Sequence, residues 1–338
     1  MAREPGRTPV AVLTGFLGSG KTTLLNRLLK RPDLADTAVI INEWGAIGID
    51  HLLVESAREP VLLENGCLCC NALGDLAAAL DGLRRRRARG EISFDRVVIE
   101  TTGLAAPAPI LEALTADPGI ARAFALDGIV TTVDAACGER TLDRHEEARR
   151  QAAVADRLIL TKTDIAGAWG GLLARLRALN SAAPIDRAAE IEPGRDHLFC
   201  GRALDPANRS FDPERWLAAA THGSEHHGPP IHGEGRIQSF CLTREQPLAG
   251  DAFKIWLSVL AALCGERLLR VKGFVAVGEF PDQPFLVQGV QHVFEPPVRL
   301  DAWPSDDHRT RLVFITDGLP RDIVAQTLEV WDDFGAAT

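Results

Sequence analysis

Three short clusters of residues carry the clearest chemistry in this chain. Gly15-Phe-Leu-Gly18-Ser19-Gly20-Lys21-Thr22 fits the pattern G-x-x-x-x-G-K-[ST], with a β-rich run before it and an amphipathic helical pattern after it. Glycines at 15, 18 and 20 let backbone N–H groups wrap a phosphate, and the helix N-terminus adds favourable dipole charge. Lys21 then reaches the β and γ oxygens and the Thr22 hydroxyl ligates Mg²⁺, with Ser19 and Thr23 completing the nucleotide contacts. Glu100-Thr-Thr-Gly103 follows a second apolar run and reads as the other metal motif of a phosphate-loop enzyme. There the carboxylate holds the Mg²⁺ hydration shell and Gly103 lets a switch segment approach the γ-phosphate. Thr161-Lys162-Thr163-Asp164 has the form of the guanine-specifying N-K-x-D segment, with Thr in place of Asn. An Asp carboxylate accepts both the N1–H and the exocyclic amine of guanine, a donor pair that adenine lacks, while the Lys stem packs along the base. Asn180-Ser181-Ala182, one helix later, is a candidate loop behind the base.

Gly66-Cys67-Leu68-Cys69-Cys70 concentrates three thiols in four residues. Thiolates are soft ligands suited to Zn²⁺, Co²⁺, Cu(I) or Fe, and a turn in C-x-C lets its two side chains converge on one ion. Cys70 is either a third ligand or points elsewhere, and a redox site is the rival reading of the cluster. Asn42-Glu43-Trp44-Gly45 and Asp50 form a further polar loop after an apolar run. Glu43 could serve the thiolate metal site or a γ-phosphate switch, and Asp50 could orient Mg²⁺ or the attacking water. The expected catalytic set is therefore Lys21, Thr22, Asp50 and Glu100. His222, His226, His227 and His232 are spaced too loosely to define a ligand set and read as ordinary linker histidines beside Pro229-Pro230, with a weak or transient metal role as the alternative. Cys137, Cys200, Cys241 and Cys264 lie scattered in apolar or mixed surroundings and read as buried core thiols.

These motifs need a scaffold that brings loop ends together. Apolar runs at Val10–Thr14, Ala38–Ile41, Arg96–Ile99, Ile129–Val133 and Leu158–Leu160 read as buried strands. They alternate with helical patterns at Lys21–Leu29, Asp75–Arg87, Pro107–Leu114, Glu146–Ala155 and Ala168–Leu179. The alternation predicts an α/β domain with a mostly parallel sheet, whose active site lies at the carboxyl ends of its strands. From 205 to 235 the periodicity fades into Pro, Gly, His and Asn, which reads as a linker. Beyond it, strands at Arg236–Thr243, Leu268–Val277, Phe285–Gln288 and Arg311–Ile315 and helices at Asp251–Leu263 and Arg321–Trp331 predict a smaller α+β domain. The expected division is 1–204, 205–235 and 236–338.

Composition narrows the partners. A net charge of −9 across 338 residues disfavours nucleic acid, whose phosphates are met by excess Lys and Arg. The one basic block, Arg84–Arg87 with Arg89, sits at a helix end and reads as a solvated face that complements the helix dipole. No run of about 18 apolar residues exists to span a membrane. The N-terminus lacks a signal-peptide core. A cytoplasmic protein is expected, in which a tight Cys cluster is reduced and suited to metal.

The order of these motifs resembles the CobW-like metal-chaperone GTPases: phosphate loop, N-E-x-G at 42–45, G-C-x-C-C at 66–70, E-x-x-G at 100–103, T-K-x-D at 161–164. That group carries Glu where other GTPases have Asp in the third motif, and Glu100 matches. Leu268-Leu-Arg-Val-Lys-Gly273 and Val287-Gln-Gly-Val-Gln-His292 resemble the family's C-terminal domain. The resemblance implies GTP hydrolysis with Mg²⁺, a Zn²⁺ or Co²⁺ cargo on the Cys motif, and delivery to a client metalloprotein or cofactor-pathway enzyme. Maturation of a metalloenzyme, or metal-responsive regulation without delivery, are the alternatives it leaves, and a homo-oligomer is among the assemblies open to it. Two features depart from the pattern. Ala46 stands where many members have a second Glu, and the long His-rich run of some members is missing.

Overall fold

The computed structural model describes residues 7–41, 61–62, 72–191 and 236–329. The chain divides into two compact units, and the stretch Leu173–Ala183 groups with the second although its sequence neighbours on both sides belong to the first.

In the first unit, seven strands among the described residues form one sheet: β1 (Thr8–Gly15), β2 (Thr37–Ile41), β3 (Val61–Leu62), β4 (Arg96–Glu100), β5 (Phe124–Asp134), β6 (Arg157–Thr161) and β7 (Ile185–Arg187). Their order is β3-β2-β4-β1-β5-β6-β7, and every pairing is parallel. Val10, Val12, Leu13, Val97, Val98, Ile99, Leu158 and Ile159 are fully buried. Such unbroken apolar runs are what strands covered on both faces require. Helix α1 (Lys21–Leu29) buries Leu24, Leu25, Leu28 and Leu29, the spacing of one helical face. It packs into a cluster with Leu13, Val39, Val98, Val130 and Ile159. Each buried leucine contributes about 1.5–3 kcal/mol, so packing holds the amino end of this helix against the sheet. The remaining helices are α2 (Ala72–Ala88), α3 (Ala108–Ala116), α4 (Pro118–Ala123), α5 (Gly138–Arg144) and α6 (Glu146–Val154), followed by α7 (Gly170–Leu179), which from Leu173 on groups with the second unit.

Several elements differ from the sequence expectation. Strand β5 begins at Phe124, five residues before the expected Ile129. Its pairing with β1 jumps from Val10↔Leu126 to Ala11↔Gly128, so Asp127 is the extra residue of a bulge that interrupts the apolar run. Helix α4 is a short element set by Asp117, whose carboxylate accepts from the N–H groups of Gly119 and Ile120. Helix α5 and the edge strand β7 are likewise too short to show a period.

The second unit holds β8 (Ile237–Arg244), α8 (Gly250–Cys264), β9 (Leu268–Val275), β10 (Phe285–Val290), β11 (Val293–Phe294), β12 (Val298–Arg299), β13 (Thr310–Asp317) and α9 (Arg321–Glu329). The strands pair antiparallel in the order β11-β10-β9-β13-β8, with β12 also on β10. Alternate residues Phe240, Leu242, Val271, Val275, Leu312 and Phe314 face one core with Trp256, Leu260, Val324 and Leu328 from the two helices. Among the described residues no helix is long and apolar enough to cross a membrane.

Candidate functional site

Parallel register aligns the carboxyl ends of four neighbouring strands. Leu13 pairs with Glu100, Gly15 with Thr132, and Asp134 with Thr161. Three of the sequence motifs therefore begin along one sheet edge, where open α/β sheets bind ligands.

The phosphate loop is built around its glycines. Gly15 has φ 140°, and a Cβ there would lie 2.4 Å from Thr132 Oγ1 and 2.5 Å from Thr132 O. Only glycine fits. Gly18 and Gly20 take left-handed φ values of 70° and 89°. Gly20 is the N-cap of α1, where no side chain caps the helix among the described residues and the first turn carries no acid. The first amides of α1 are thus left to an anion. Ser19 Oγ lies 2.6 Å from Thr132 Oγ1, which fixes the loop to β5. Lys21 is buried, and its Nζ donates to Gly15 O at 2.9 Å and Phe16 O at 3.4 Å. Thr23 is exposed on the first turn of α1.

The other motifs converge on this loop. The Thr22 hydroxyl donates to Glu100 Oε1 at 2.5 Å, so the two expected Mg²⁺ residues, 78 positions apart in sequence, meet directly. Glu100 is buried at the end of β4, and the next residue ties β4 to β1: Thr101 N–H donates to Leu13 O and its hydroxyl to Thr14 Oγ1. Gly103 packs on the phosphate loop itself, since a Cβ there would lie 2.5 Å from Leu17 N. Thr161, in the place of the usual Asn, donates its hydroxyl to Ser19 O at 2.6 Å. A hydroxyl is thus sufficient to anchor this segment to the loop. Lys162 takes a left-handed φ of 56° and sends its Nζ to Asp134 Oδ2 at 2.7 Å. Asp164 is exposed.

Two residues of this cluster escaped the sequence reading, Thr132 and Asp134. Both are polar positions at the end of an expected strand, which was the available signal. Asp134 accepts from Lys162 and from the N–H groups of Ala136 and Cys137. Partial burial pushes its carboxyl up, but these hydrogen bonds outweigh it and hold the group below its ordinary value of 3.8. Asn180 is buried at the end of α7, where its Oδ1 accepts from Ala183 N, and it groups with the second unit.

The family model of the CobW/HypB/UreG nucleotide-binding domain matches residues 9–187, and that of the cobalamin synthesis protein CobW C-terminal domain matches residues 237–331. The chain belongs to the CobW/HypB/UreG family. It is 32% identical over 320 residues to the zinc chaperone YjiA of Escherichia coli, covering 93% of this chain and 96% of that protein. It is 30% identical over 357 residues to a zinc chaperone CobW of a Sinorhizobium species, covering 92% and 93%. The crystal structure of Zn(II)-bound YjiA GTPase from E. coli superposes with a TM-score of 0.66 at 26% identity, covering 96% of this chain and 99% of that one. This CobW-family chain is a phosphate-loop GTPase.

The remaining candidates are less informative. Glu43, Asp50, Cys67, Cys69 and Cys70 lie outside the described residues, as do Cys200 and the histidines at 222, 226, 227 and 232. Among the described residues no group of three or more His, Cys, Asp or Glu could hold a metal ion. Burial pushes the Cys241 and Cys264 thiols up, but only Cys264 is the buried core thiol expected; Cys241 is half-buried, between the core-facing Phe240 and Leu242. Cys137, half-buried, sits at the N-cap of α5. The basic block spends its charge locally: Arg84 and Arg85 pair with Asp81, Arg89 with Glu91, and Arg87 lies over the Phe94 ring. His292 is exposed in the turn between β10 and β11.

Proposed function

We propose that this chain is a cytoplasmic metallochaperone that uses GTP hydrolysis to control a zinc ion held by Cys67 and Cys69, with Cys70 and Glu43 as further ligands, and passes it to a client metalloprotein. One observation carries the reading. Near-complete alignment with two zinc chaperones accompanies a nucleotide site whose phosphate-loop, Glu100 and Thr161 motifs are in direct contact. The thiolate motif also has a suitable origin: β3 ends at Leu62, paired with Ile41, which pairs in turn with Glu100. Leu62, five residues before Cys67 in the sequence, therefore stands at the same sheet edge that carries the nucleotide motifs.

The residues present fit Mg²⁺, because Thr22 and Glu100 offer only oxygen and already lie together. When bound, the ion neutralises charge on the phosphates. The protein's own part begins with Lys21, whose ammonium leaves the carbonyls of Gly15 and Phe16 for the β and γ oxygens. The amides of 18–22 hold the phosphates, and Ser19 keeps the loop in register through Thr132. Glu100 holds the Thr22 hydroxyl, and the two side chains would together hold the ion. Gly103, against Leu17, places the switch segment where it senses the γ-phosphate, and Asp50 orients the attacking water. Lys162 and Asp164 select guanine. Zinc is the cargo favoured by the relatives, over Co²⁺. Loop order imposed by GTP tightens metal binding, and linkage makes metal tighten GTP by the same factor. Turnover of the isolated chain is slow and is stimulated by the client.

The test is metal content of the full chain with GDP and with a non-hydrolysable GTP analogue, after dialysis against Zn²⁺, Co²⁺, Ni²⁺ or Fe²⁺. Zinc should be retained near one equivalent with the analogue and lost with GDP. The paired change Cys67→Ser and Cys69→Ser should abolish retention while leaving GDP affinity intact. Equal zinc affinity in that variant would overturn the proposal.

A further inference from the structure

Helix α6 reaches both halves of the phosphate site. Its N-cap, His145, lays its ring on Phe16 of the phosphate loop, with centroids 4.3 Å apart. Two turns later the Gln151 side chain, only 2% exposed, donates its amide N–H groups to Gly103 O at 3.1 Å and to Ala105 O at 3.2 Å. The segment it grips is a turn closed by Ala105 N–H on Thr102 O, and Gly103 within that turn rests on the Leu17 backbone. Among the described residues no donor reaches Gln151 Oε1, although the atom is buried. A polar amide between a helix and a sheet costs free energy unless its hydrogen bonds repay it, and an apolar residue would fill the space without the orphaned oxygen. The amide is therefore explained by what its donors hold, not by packing.

We propose that Gln151 is a positioning residue for GTP hydrolysis: it fixes the Thr102–Ala105 turn so that Gly103 stays against the phosphate loop. The proposal rests on the reading of Glu100–Gly103 as the segment that senses the γ-phosphate. Gln151 touches neither nucleotide nor metal in this account. Its effect is on where the segment stands when the γ-phosphate reacts, so it belongs to kcat and not to nucleotide affinity.

The experiment compares GTP turnover and GDP affinity in the full-length protein and in four variants. Gln151→Leu keeps the volume without donors, and Gln151→Glu keeps the shape with acceptors only. Each should lower kcat by roughly tenfold, the scale of a lost buried hydrogen-bond pair, with KM and GDP affinity within about twofold. Thr131→Val removes the hydroxyl that donates to the Gln151 backbone carbonyl at 2.9 Å. It should lower the thermal midpoint and leave kcat unchanged, which separates loosening of the helix from loss of the grip. Gly103→Ala tests the underlying reading and should abolish turnover. Unchanged kcat in Gln151→Leu, or a fall in GDP affinity matching the fall in kcat, would overturn the positioning role while Gly103→Ala still abolishes turnover. Full turnover in Gly103→Ala would remove the reading of the segment, and the inference with it.

Discussion

The two ends of the proposed nucleotide site are built in opposite ways. At the phosphate end the motifs are cross-braced by buried or half-buried side chains: Lys21 on Gly15, Ser19 on Thr132, Thr22 on Glu100, Thr161 on Ser19. At the base end Asp164 is exposed, and Lys162, its side chain 39% exposed, is steadied by one ion pair to Asp134, 15% exposed. The phosphate end is preorganised by backbone and close contacts, so its tolerance is set by space. The base end is open, so its selectivity rests on a few charge-assisted hydrogen bonds worth far less than a steric conflict. Substitutions at the two ends should therefore differ in kind as well as in size.

The largest effect should come from Gly15→Ala. The added methyl meets Thr132 at 2.4–2.5 Å and Ser19 Oγ at 2.7 Å, at a φ that disfavours alanine. Strain and overpacking together cost about 2–6 kcal/mol. GDP affinity should fall by at least about thirtyfold, with a lower thermal midpoint, read by titration and by unfolding. Normal GDP binding would show that the loop yields and that the two ends are not so different.

Asp164→Asn should come second. Losing a charged acceptor for two guanine donors costs about 1.5–3 kcal/mol, or roughly 10–150-fold in GTP affinity, with no change in thermal stability. The carboxamide can donate to the carbonyl that xanthine carries in place of guanine's amine, so XTP should become the better substrate. Competition between GTP and XTP measures this directly. An equal loss for both nucleotides would mean that Asp164 does not read the base.

What was legible in the sequence follows the same division. The phosphate end could be read because its requirements are steric and local: Gly15, Gly20 and Lys21 are fixed by the shape of the loop and stand within a few residues of one another. Glu100 could be read by its place after an apolar strand, although its contact with Thr22 depends on a register that only the folded sheet supplies. Thr161 stood out only as a departure from Asn, because its bond to Ser19 O spans 142 positions. Asp134 directly follows the expected strand Ile129–Val133 but belongs to no motif, and its partner Lys162 is 28 positions away, whereas Asp127 and Gly128 broke the run of β5 and hid how early the strand begins. Short capped pieces such as α4 left a local sign, Asp117 before Pro118, but no period to confirm it. Medium-range pattern conveyed the parallel sheet, whereas cross-strand partners had to be seen.

The smallest effect, and the sharpest test of the comparison, belongs to Asp134. Its carboxylate holds the Lys162 ammonium at 2.7 Å and caps the turn at Ala136 and Cys137. Because the pair is partly exposed, solvent and salt screen it, and about 0.2–1 kcal/mol is the reasonable scale. Asp134→Asn keeps the cap acceptor but loses the ion pair, so GTP affinity should fall by only about two- to fivefold, and less at high salt. The sign of its pH dependence is fixed as well. A carboxyl held below 3.8 in the folded protein stabilises it fully above that value, and the contribution fades as the pH falls further through the folded value. The wild-type protein should therefore lose a small increment of stability below about pH 4 that Asp134→Asn does not lose, measured as the difference between their unfolding free energies. A loss of GTP affinity as large as that of Asp164→Asn would place Asp134 in the base site itself. The base end would then depend on a buried charge network, as braced as the phosphate end, and the contrast between the two would disappear.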